Sequence, residues 1–332
     1  MQKRFKKKGG IVRSNSDTDL KEAVHKFVTN ANEQRFSEFE HIVIIKYTGS
    51  QSLFVQTDIY HFDKPVTSLI KKMPKYRNET QQQAIKAEAL TQMKLFETSY
   101  REYGGQSICP AIVYVDMEHN DIYMEMIGDE YKTFSFYYDE YFVKQNIDKI
   151  TMSEVLIIYI SCFIELYVVF KILHKDYHRE NFLLSLTEFN YFGEKVRGRP
   201  IVIDFGYIEE VTKETSYPIE NEDIIEYLTK MVGTEDIHRV YQFEYYMNEL
   251  NMKSTYMTQQ VVMYLEKRKK QTEVNRANFS AKVEHEFLPK IQEHNRILFD
   301  QIEKSLQEQQ DKPTIQTKFP TYFKKKDEQK MP

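Results

Sequence analysis

The most informative stretch of this sequence reads His174-Lys175-Asp176-Tyr177-His178-Arg179-Glu180-Asn181-Phe182-Leu183-Leu184, and Ile201-Val202-Ile203-Asp204-Phe205-Gly206 follows it. The first segment places the carboxylate of Asp176 and the carboxamide of Asn181 in one polar loop, and the second ends an apolar run with the carboxylate of Asp204. Oxygen ligands of this kind hold Mg²⁺ against phosphates, while another carboxylate can orient and deprotonate an attacking hydroxyl. These residue types favour phosphoryl transfer, with Asp176 as the base and Asn181 and Asp204 as metal ligands.

Both segments resemble motifs of the protein-kinase-like superfamily. The first is similar to the catalytic loop H-R-D-L-x-x-x-N, and the second carries the D-F-G triplet after an apolar strand, in the same order along the chain. The resemblance implies ATP and Mg²⁺ as cofactors. Two other interpretations stay open: an ordinary polar turn followed by a buried strand, and a metal pair formed by His174 and His178 on a helix.

Two positions in the loop depart from the usual kinase pattern. His178 stands where most serine/threonine kinases have a lysine that touches the γ-phosphate, and we include it among the candidate catalytic residues. The H-x-D-x-H-x-x-N form also resembles aminoglycoside- and choline-kinase-like phosphotransferases and divergent kinases of large DNA viruses. Lys175 replaces an arginine that normally grips an activation-loop phosphate, and lysine lacks the planar fork for that contact. Regulation by loop phosphorylation is therefore not expected.

A lysine that binds the α- and β-phosphates is expected at the end of the third predicted strand, residues 65–72, which resembles the V-A-I-K element. Alternation of side chains favours Lys71, and a slip of one residue would make it Lys72. A helical pattern follows over residues 79–103, with Glu88 on its apolar face. A buried acid there needs a cation, and the kinase resemblance implies that this cation is the strand lysine, which predicts an ion pair between Lys71 and Glu88.

The first part of the chain shows five strand patterns with one helix after the third, at residues 42–45, 53–60, 65–72, 108–118 and 121–127. The turn between the first two holds Gly49 and Ser50 and resembles the glycine-rich loop over ATP phosphates, although it keeps only one glycine. The fifth strand resembles the kinase hinge. That resemblance implies that the backbone of Glu125, Met126 and Ile127 contacts adenine and that Met124 gates the pocket.

The predicted fold class is α+β, with the two lobes of a protein-kinase-like fold. We expect a basic flexible arm and short helix at 1–40, and a small five-stranded antiparallel lobe with one helix at 41–127. A large, mainly helical catalytic lobe with a C-terminal helical extension is expected at 128–311. A flexible tail completes the chain at 312–332.

Composition limits the class of protein further. The 332 residues carry 46 basic and 50 acidic side chains, a net charge of −4, which predicts no specific nucleic acid partner. Cys109 and Cys162 lie far apart among apolar residues, as in a protein of a reducing compartment. We expect an intracellular, cytoplasmic protein, and the basic arm would also allow a nuclear one. The apolar run at 155–173 has Glu165 near its centre and predicts a buried helix, not a membrane segment.

These observations predict a divergent serine/threonine protein kinase that uses Mg-ATP. A serine or threonine of a protein substrate is the favoured acceptor, ahead of a small molecule. The alternatives are a small-molecule kinase of the same fold and a pseudokinase scaffold that binds partners through its C-terminal helices.

Overall fold

The structure is a computed structural model, and it describes residues 17–35, 42–47, 68–74, 78–187, 189–191, 194–196, 199–212 and 219–310. Several predictions fall outside this part of the chain: Gly49 and Ser50, the second strand at 53–60, residues 1–16 and 36–40 of the basic arm and short helix, and the tail at 312–332. The described part is an α+β protein with a five-stranded antiparallel sheet and a mainly helical remainder, which confirms the predicted fold class at that level.

The sheet has the strand order β1-β2-β3-β5-β4. Its strands are β1 (Ala31–Arg35), β2 (Ile42–Tyr47), β3 (Ser68–Lys72), β4 (Ile112–Asp116) and β5 (Asp121–Glu125). Helix α1 (Asp17–Thr29) precedes the sheet, and α2 (Glu79–Glu102) lies between β3 and β4, as the sequence predicts. Asn78 caps α2 by accepting a hydrogen bond from the backbone N–H of Gln81 at 2.9 Å. The β3 ladder pairs Lys72 with Ile122 of β5, which fixes the register of the lysine-bearing strand.

The helical remainder is built from α3 (Phe134–Phe142), α4 (Lys149–Val168), α5 (Ile224–Val232), α6 (Ile237–Glu249), α7 (Ser254–Lys282) and α8 (Leu288–Gln310). One turn of π-helix, Val283–Phe287, joins α7 to α8. Short strands complete it: β6 (Lys132–Thr133), β7 (Ile172–His174), β8 (Phe182–Ser185), β9 (Phe189–Tyr191), β10 (Glu194–Val196), β11 (Arg199–Val202) and β12 (Ile208–Glu210). Strand β11 pairs with β8, and β12 pairs with β7, so the two motif segments are held side by side.

Helix α4 is the centre of the core. By length and composition it could cross a membrane, but 72% of its most apolar window is buried within the protein, as predicted for a central helix. Its Tyr159 ring stacks on Tyr177 of the catalytic-loop motif at 4.9 Å and on Phe134 at 4.4 Å. The acid near its centre, Glu165, is paired with the Nε of Arg268 on α7 at 2.9 and 3.0 Å. A buried charge inside the apolar helix is thus matched by a cation from a neighbouring helix.

The last helix, α8, packs against α2 and β4 and not only against the other helices. Asn295 donates from Nδ2 to the backbone oxygen of Met93 at 3.3 Å, and His294 donates from Nε2 to the backbone oxygen of Ile112 at 3.0 Å. The buried Lys86 of α2 donates to the hydroxyl of Ser305 at 2.8 Å. The C-terminal helix therefore supports the helix that carries Glu88.

Candidate active site

The centre of the site is the side chain of Lys72, at the end of β3. Its Nζ lies 2.7 Å from Oε1 and 2.8 Å from Oε2 of Glu88, and 2.8 Å from Oδ1 of Asp204. Strand β3, helix α2 and the loop after β11 each contribute one of these groups. Glu88, which is buried on α2, thus has Lys72 as the cation partner that a buried acid needs.

The prediction that Lys71 pairs with Glu88 is wrong. The lysine that contacts Glu88 is Lys72, the alternative one residue further along the strand. The Nζ of Lys71 lies 3.0 Å from Oδ2 of Asp121. Successive side chains of a strand point to opposite faces, so adjacent lysines cannot share a site. Lys71 follows the face of the buried Leu69, and Lys72 follows the face of Ile70, which is the one that meets α2's Glu88. Lys71 is therefore removed from the candidate catalytic and nucleotide-binding residues.

Charge at the Lys72 cluster is set by burial and by attraction between its members. Burial opposes the charged form of Lys72, but Glu88 and Asp204 outweigh it and raise the pKa of the ammonium. Burial also opposes ionisation of Asp204, but the ammonium of Lys72 outweighs it and lowers the pKa of that carboxyl. Burial raises the pKa of Glu88, and Lys72 offsets this only in part. Asp204 is thus the carboxylate of the pair that is held in its ionised form.

Asp204 has an uncommon backbone conformation. Its φ is +64°, in the left-handed region that a residue other than glycine rarely adopts. Such strain persists when the surrounding structure holds it, and it is concentrated at functional sites. Two residues on, Gly206 leaves room for the carboxylates, since a Cβ there would lie 3.3 Å from Oε2 of Glu88 and 3.5 Å from Oδ1 of Asp204. The turn therefore directs an ionised carboxylate toward Lys72.

The catalytic-loop motif brings Asp176, His178 and Asn181 together. Asn181 donates from Nδ2 to the backbone oxygen of Asp176 at 3.0 Å, and the same atom lies 3.4 Å from Oδ2 of Asp176. The backbone N–H of Glu180 donates to Nδ1 of His178 at 3.1 Å, so the other ring nitrogen, Nε2, faces Oδ2 of Asp176 at 3.5 Å. These contacts orient the carboxylate of Asp176, which is 43% exposed and open to a substrate.

Two hydrogen bonds join the catalytic loop to the strand that leads to Asp204. His174 donates from Nε2 to the backbone oxygen of Ile203 at 3.2 Å, and the N–H of Ile203 donates to the backbone oxygen of Asn181 at 3.0 Å. Burial lowers the pKa of His174 to about 4, so its ring is neutral. His174 is thus committed to holding the loop, which leaves no support for a metal pair with His178. Within the described ranges, no group of three His, Cys, Asp or Glu side chains could hold a metal ion.

The donor set of Asn181 and Asp204 fits Mg²⁺ bound with phosphates. Mg²⁺ usually takes one or two protein oxygens and completes its shell with water and substrate phosphates, so a cluster of three acids is not required. Because Nδ2 of Asn181 donates to Asp176, its amide oxygen is the atom suited to a cation. The backbone link from Ile203 to Asn181 brings the two ligand-bearing segments next to each other. The roles of both residues as metal ligands stay predictions.

The predicted adenine contacts lie at the end of β5. Met124 is buried, and Met126 and Ile127 follow the strand with partly exposed side chains. Glu125 is tied to the sheet, because its N–H donates to the backbone oxygen of Ala111 at 2.9 Å and its Oε2 accepts from the N–H of Ala111 at 3.2 Å. The contact of Glu125, Met126 and Ile127 with adenine stays a prediction.

One residue of the site, Arg239 of α6, is missed by the sequence analysis. Its Nη2 lies 3.6 Å from Oδ1 of Asp176 and donates to the backbone oxygen of Lys175. The sequence gives no signal for this contact, because Arg239 lies 63 positions after Asp176 and outside both motif segments.

No protein-family model matches the chain. None of the curated proteins matches it either. Among solved structures, the chain is similar to a Chaetomium thermophilum Rio2 kinase crystallised as an ADP/Mg²⁺-phosphoaspartate complex, with 13% identity, a TM-score of 0.34, and coverage of 79% of this chain and 74% of that chain. A similarity at this TM-score supports no conclusion about the fold or the function of this chain. The function proposed below therefore depends on the geometry of the site and the motifs.

Proposed function

We propose that this protein is a Mg-ATP-dependent phosphotransferase with the two lobes of a protein-kinase-like fold. The observation that carries the proposal is the contact of Lys72 with both Glu88 and Asp204. The kinase resemblance requires a strand lysine, a helix glutamate and the D-F-G aspartate to meet, and these three residues come from separate parts of the chain. An ordinary polar turn followed by a buried strand would give no reason for that meeting.

Each group has a role in the proposed reaction. Lys72 would hold the α- and β-phosphates, with Glu88 fixing its position, and the hinge backbone from Glu125 to Ile127 would hold adenine. The predicted contact of Gly49 and Ser50 with the phosphates falls on residues outside the part of the chain that the structure describes. Asn181 and Asp204 would hold Mg²⁺, which neutralises charge on the phosphates when bound.

The chemical step needs one proton acceptor. The hydroxyl oxygen of the acceptor bonds to the γ-phosphorus of ATP, the bond from that phosphorus to the bridging oxygen breaks, and ADP leaves. Asp176 takes the hydroxyl proton, and its half-exposed carboxylate is placed to receive it. The Nε2 of His178 lies 3.5 Å from Oδ2 of the Asp176 carboxylate and would help to orient that carboxylate. The acceptor that we propose is a serine or threonine of a protein in the cell interior; a small hydroxyl compound is the alternative.

A second candidate function is a scaffold that binds a partner through the C-terminal helices. A cavity of about 720 Å³ lies between the start of α4 and α7, away from the Lys72 cluster. Apolar side chains are exposed on its rim, with Ile150 at 80% and Met263 at 60%. This surface favours partner binding, and it is compatible with an active enzyme as well as with an inactive one.

The experiment that separates these functions is transfer of γ-phosphate from radiolabelled ATP to a mixture of proteins and small hydroxyl compounds, with and without Mg²⁺. Asp176→Asn keeps the shape of the side chain and removes the base, so turnover should fall by about 10² to 10⁴-fold. The melting temperature and the thermal shift with Mg-ATP should change little. If wild type and Asp176→Asn transfer phosphate at the same rate, the activity belongs to a contaminant and the scaffold function is favoured.

A further inference from the structure

The side chain of Arg239 reaches the catalytic loop from the first turn of α6. Its Nη2 donates to the backbone oxygen of Lys175 and lies 3.6 Å from Oδ1 of Asp176. Because one nitrogen serves both groups, the guanidinium contacts the loop backbone and the side chain of the proposed base at once. Arginine suits this task, since its charge is permanent and its donors have a fixed planar arrangement.

The helix that carries Arg239 is firmly packed. Val240 and Phe243, on the same helix, are fully buried, and the ring of Phe243 lies 5.4 Å from that of Tyr159 on α4. The backbone N–H of Arg239 donates to the oxygen of Asp236 at 3.0 Å, which fixes the start of the helix. The side chain is 21% exposed, so most of its length is buried within the protein. A group on a rigid helix can set the position of a partner to within a fraction of an ångström.

The other contacts of the Asp176 carboxylate leave room for such a role. Its Oδ2 faces Asn181 at 3.4 Å and His178 at 3.5 Å, and its Oδ1 faces Arg239 at 3.6 Å. All three distances are longer than an ordinary hydrogen bond, so the attraction between opposite charges distinguishes the contact with Arg239. Of the side chains that the structure describes, only Arg239 brings a permanent positive charge within 4 Å of this carboxylate. The loop itself supplies no lysine at position 178, where the kinase resemblance leads one to expect a cation.

We propose that Arg239 is a positioning residue for phosphate transfer. Its guanidinium is hydrogen-bonded to the backbone oxygen of Lys175 and attracts Oδ1 of Asp176 by its charge across 3.6 Å, so that Oδ2 is turned to the acceptor hydroxyl and receives its proton. It also supplies a fixed positive charge beside the carboxylate of Asp176, in a loop whose position 178 carries no lysine. This role goes beyond the proposed function and rests on it, because a positioning residue requires that Asp176 acts as the base.

The test compares Arg239→Gln and Arg239→Lys with wild type in the phosphate-transfer assay. Misplacement of a catalytic group by about 1 Å can cost on the order of 100-fold, so Arg239→Gln should lower kcat by about 10 to 100-fold and leave the KM for ATP unchanged. Arg239→Lys keeps the charge and should recover part of kcat. The matched control is Arg296→Gln, which removes an equal charge from an exposed pair on α8. The proposal is overturned if Arg239→Gln and Arg296→Gln have the same kcat. It is also overturned if Arg239→Gln and Arg239→Lys lose kcat to the same extent and both melt at a lower temperature, because the loss would then come from a damaged fold.

A second measurement does not need turnover. In protein with ¹³C-labelled aspartate carboxyls, the resonance absent from Asp176→Asn identifies Asp176, and it should move in Arg239→Gln but not in Arg296→Gln. If wild type transfers no phosphate but this resonance moves, the contact is supported and the proposed function fails. If the resonance is the same in wild type and Arg239→Gln, the positioning role is overturned whatever the activity.

Discussion

At the scale of single residues, Lys72 is the side chain on which the site most depends. Lys72→Met removes the cation shared by Glu88 and Asp204. Removal of one electrostatic stabiliser usually costs about 10² to 10³-fold in turnover, so we expect a loss of phosphate transfer of that order. Steady-state transfer rates measured well below the melting temperature check this. A double variant with Glu88→Gln should lose much less than the product of the two single losses, because the two residues act as a unit.

The neighbouring lysine provides the matched control. Lys71→Met removes the same charge from the same strand, but its partner is Asp121, on the next strand of the sheet. We therefore expect Lys71→Met to lower stability, since Asp121 is 1% exposed, and to retain most of the transfer activity. Loss of activity in Lys71→Met with none in Lys72→Met would return the role to Lys71.

The two lysines also show how much of a site can be predicted from sequence. Asp176, Asn181 and Asp204 could be selected because each lies in a short motif whose chemistry depends on local spacing. Glu88 could be selected because an acid on an apolar helix face requires a partner. The choice between Lys71 and Lys72 could not be made from the sequence. Alternation of side chains along a strand places the two lysines on opposite faces, but it does not show which face meets α2. Arg239 could not be selected at all, because tertiary packing alone brings α6 to the loop.

At the scale of secondary structure elements, α8 determines where α2 can lie. Ile302 of α8 is fully buried, and the helix bonds to α2 on either side of it through Asn295 and Ser305. Ile302→Ala should therefore reduce the free energy of unfolding by about 2 to 5 kcal/mol, the usual cost of such a cavity. It should also speed hydrogen exchange in α2. Urea denaturation and amide exchange measure the two effects.

The control for this change lies two residues further along α8. The side chain of Lys304 is 79% exposed, so Lys304→Ala should alter stability by no more than about 0.5 kcal/mol. If Ile302→Ala and Lys304→Ala have the same urea midpoint, α8 does not support α2 in solution. A midpoint that falls without faster exchange in α2 would place the loss elsewhere in the helical remainder.

Elements with a strong pattern of their own were predicted well. The predicted helix over α2 and the predicted buried helix α4 are both found in the structure. Strand β1 was missed because its sequence, Ala-Asn-Glu-Gln-Arg, has little preference for strands, and its conformation depends on pairing with β2. The contact of α8 with α2 was missed for a related reason, because an amphipathic pattern predicts a packed face without naming what covers it.

At the scale of the whole molecule, two buried histidines link stability to pH. His174 joins the catalytic loop to the strand before Asp204, and His294 joins α8 to β4. Burial lowers the pKa of each to about 4 from an ordinary value near 6.5. The folded protein keeps both rings neutral between these pH values, whereas the unfolded chain binds a proton at each. The stability that these two neutral histidines contribute is therefore fully present above about pH 6.5 and is lost as the pH drops toward 4.

The slope of that fall can be assigned to one ring. A single histidine that is neutral when folded and protonated when unfolded contributes up to about 1.4 kcal/mol per pH unit. Glu88 and Glu165 have the opposite effect on the pH dependence of stability, because their raised pKa lets the folded protein bind protons at a higher pH than the unfolded chain does. The prediction therefore concerns the difference in slope between wild type and a histidine variant.

The variant His294→Gln removes the titrating ring, and its amide can still donate a hydrogen bond to the backbone oxygen of Ile112. Its free energy of unfolding, from urea curves between pH 4.5 and 6.5, should fall less steeply than that of wild type by about this amount. Equal slopes in wild type and His294→Gln would mean that His294 is reached by water in the folded protein and that the junction of α8 with β4 opens in solution.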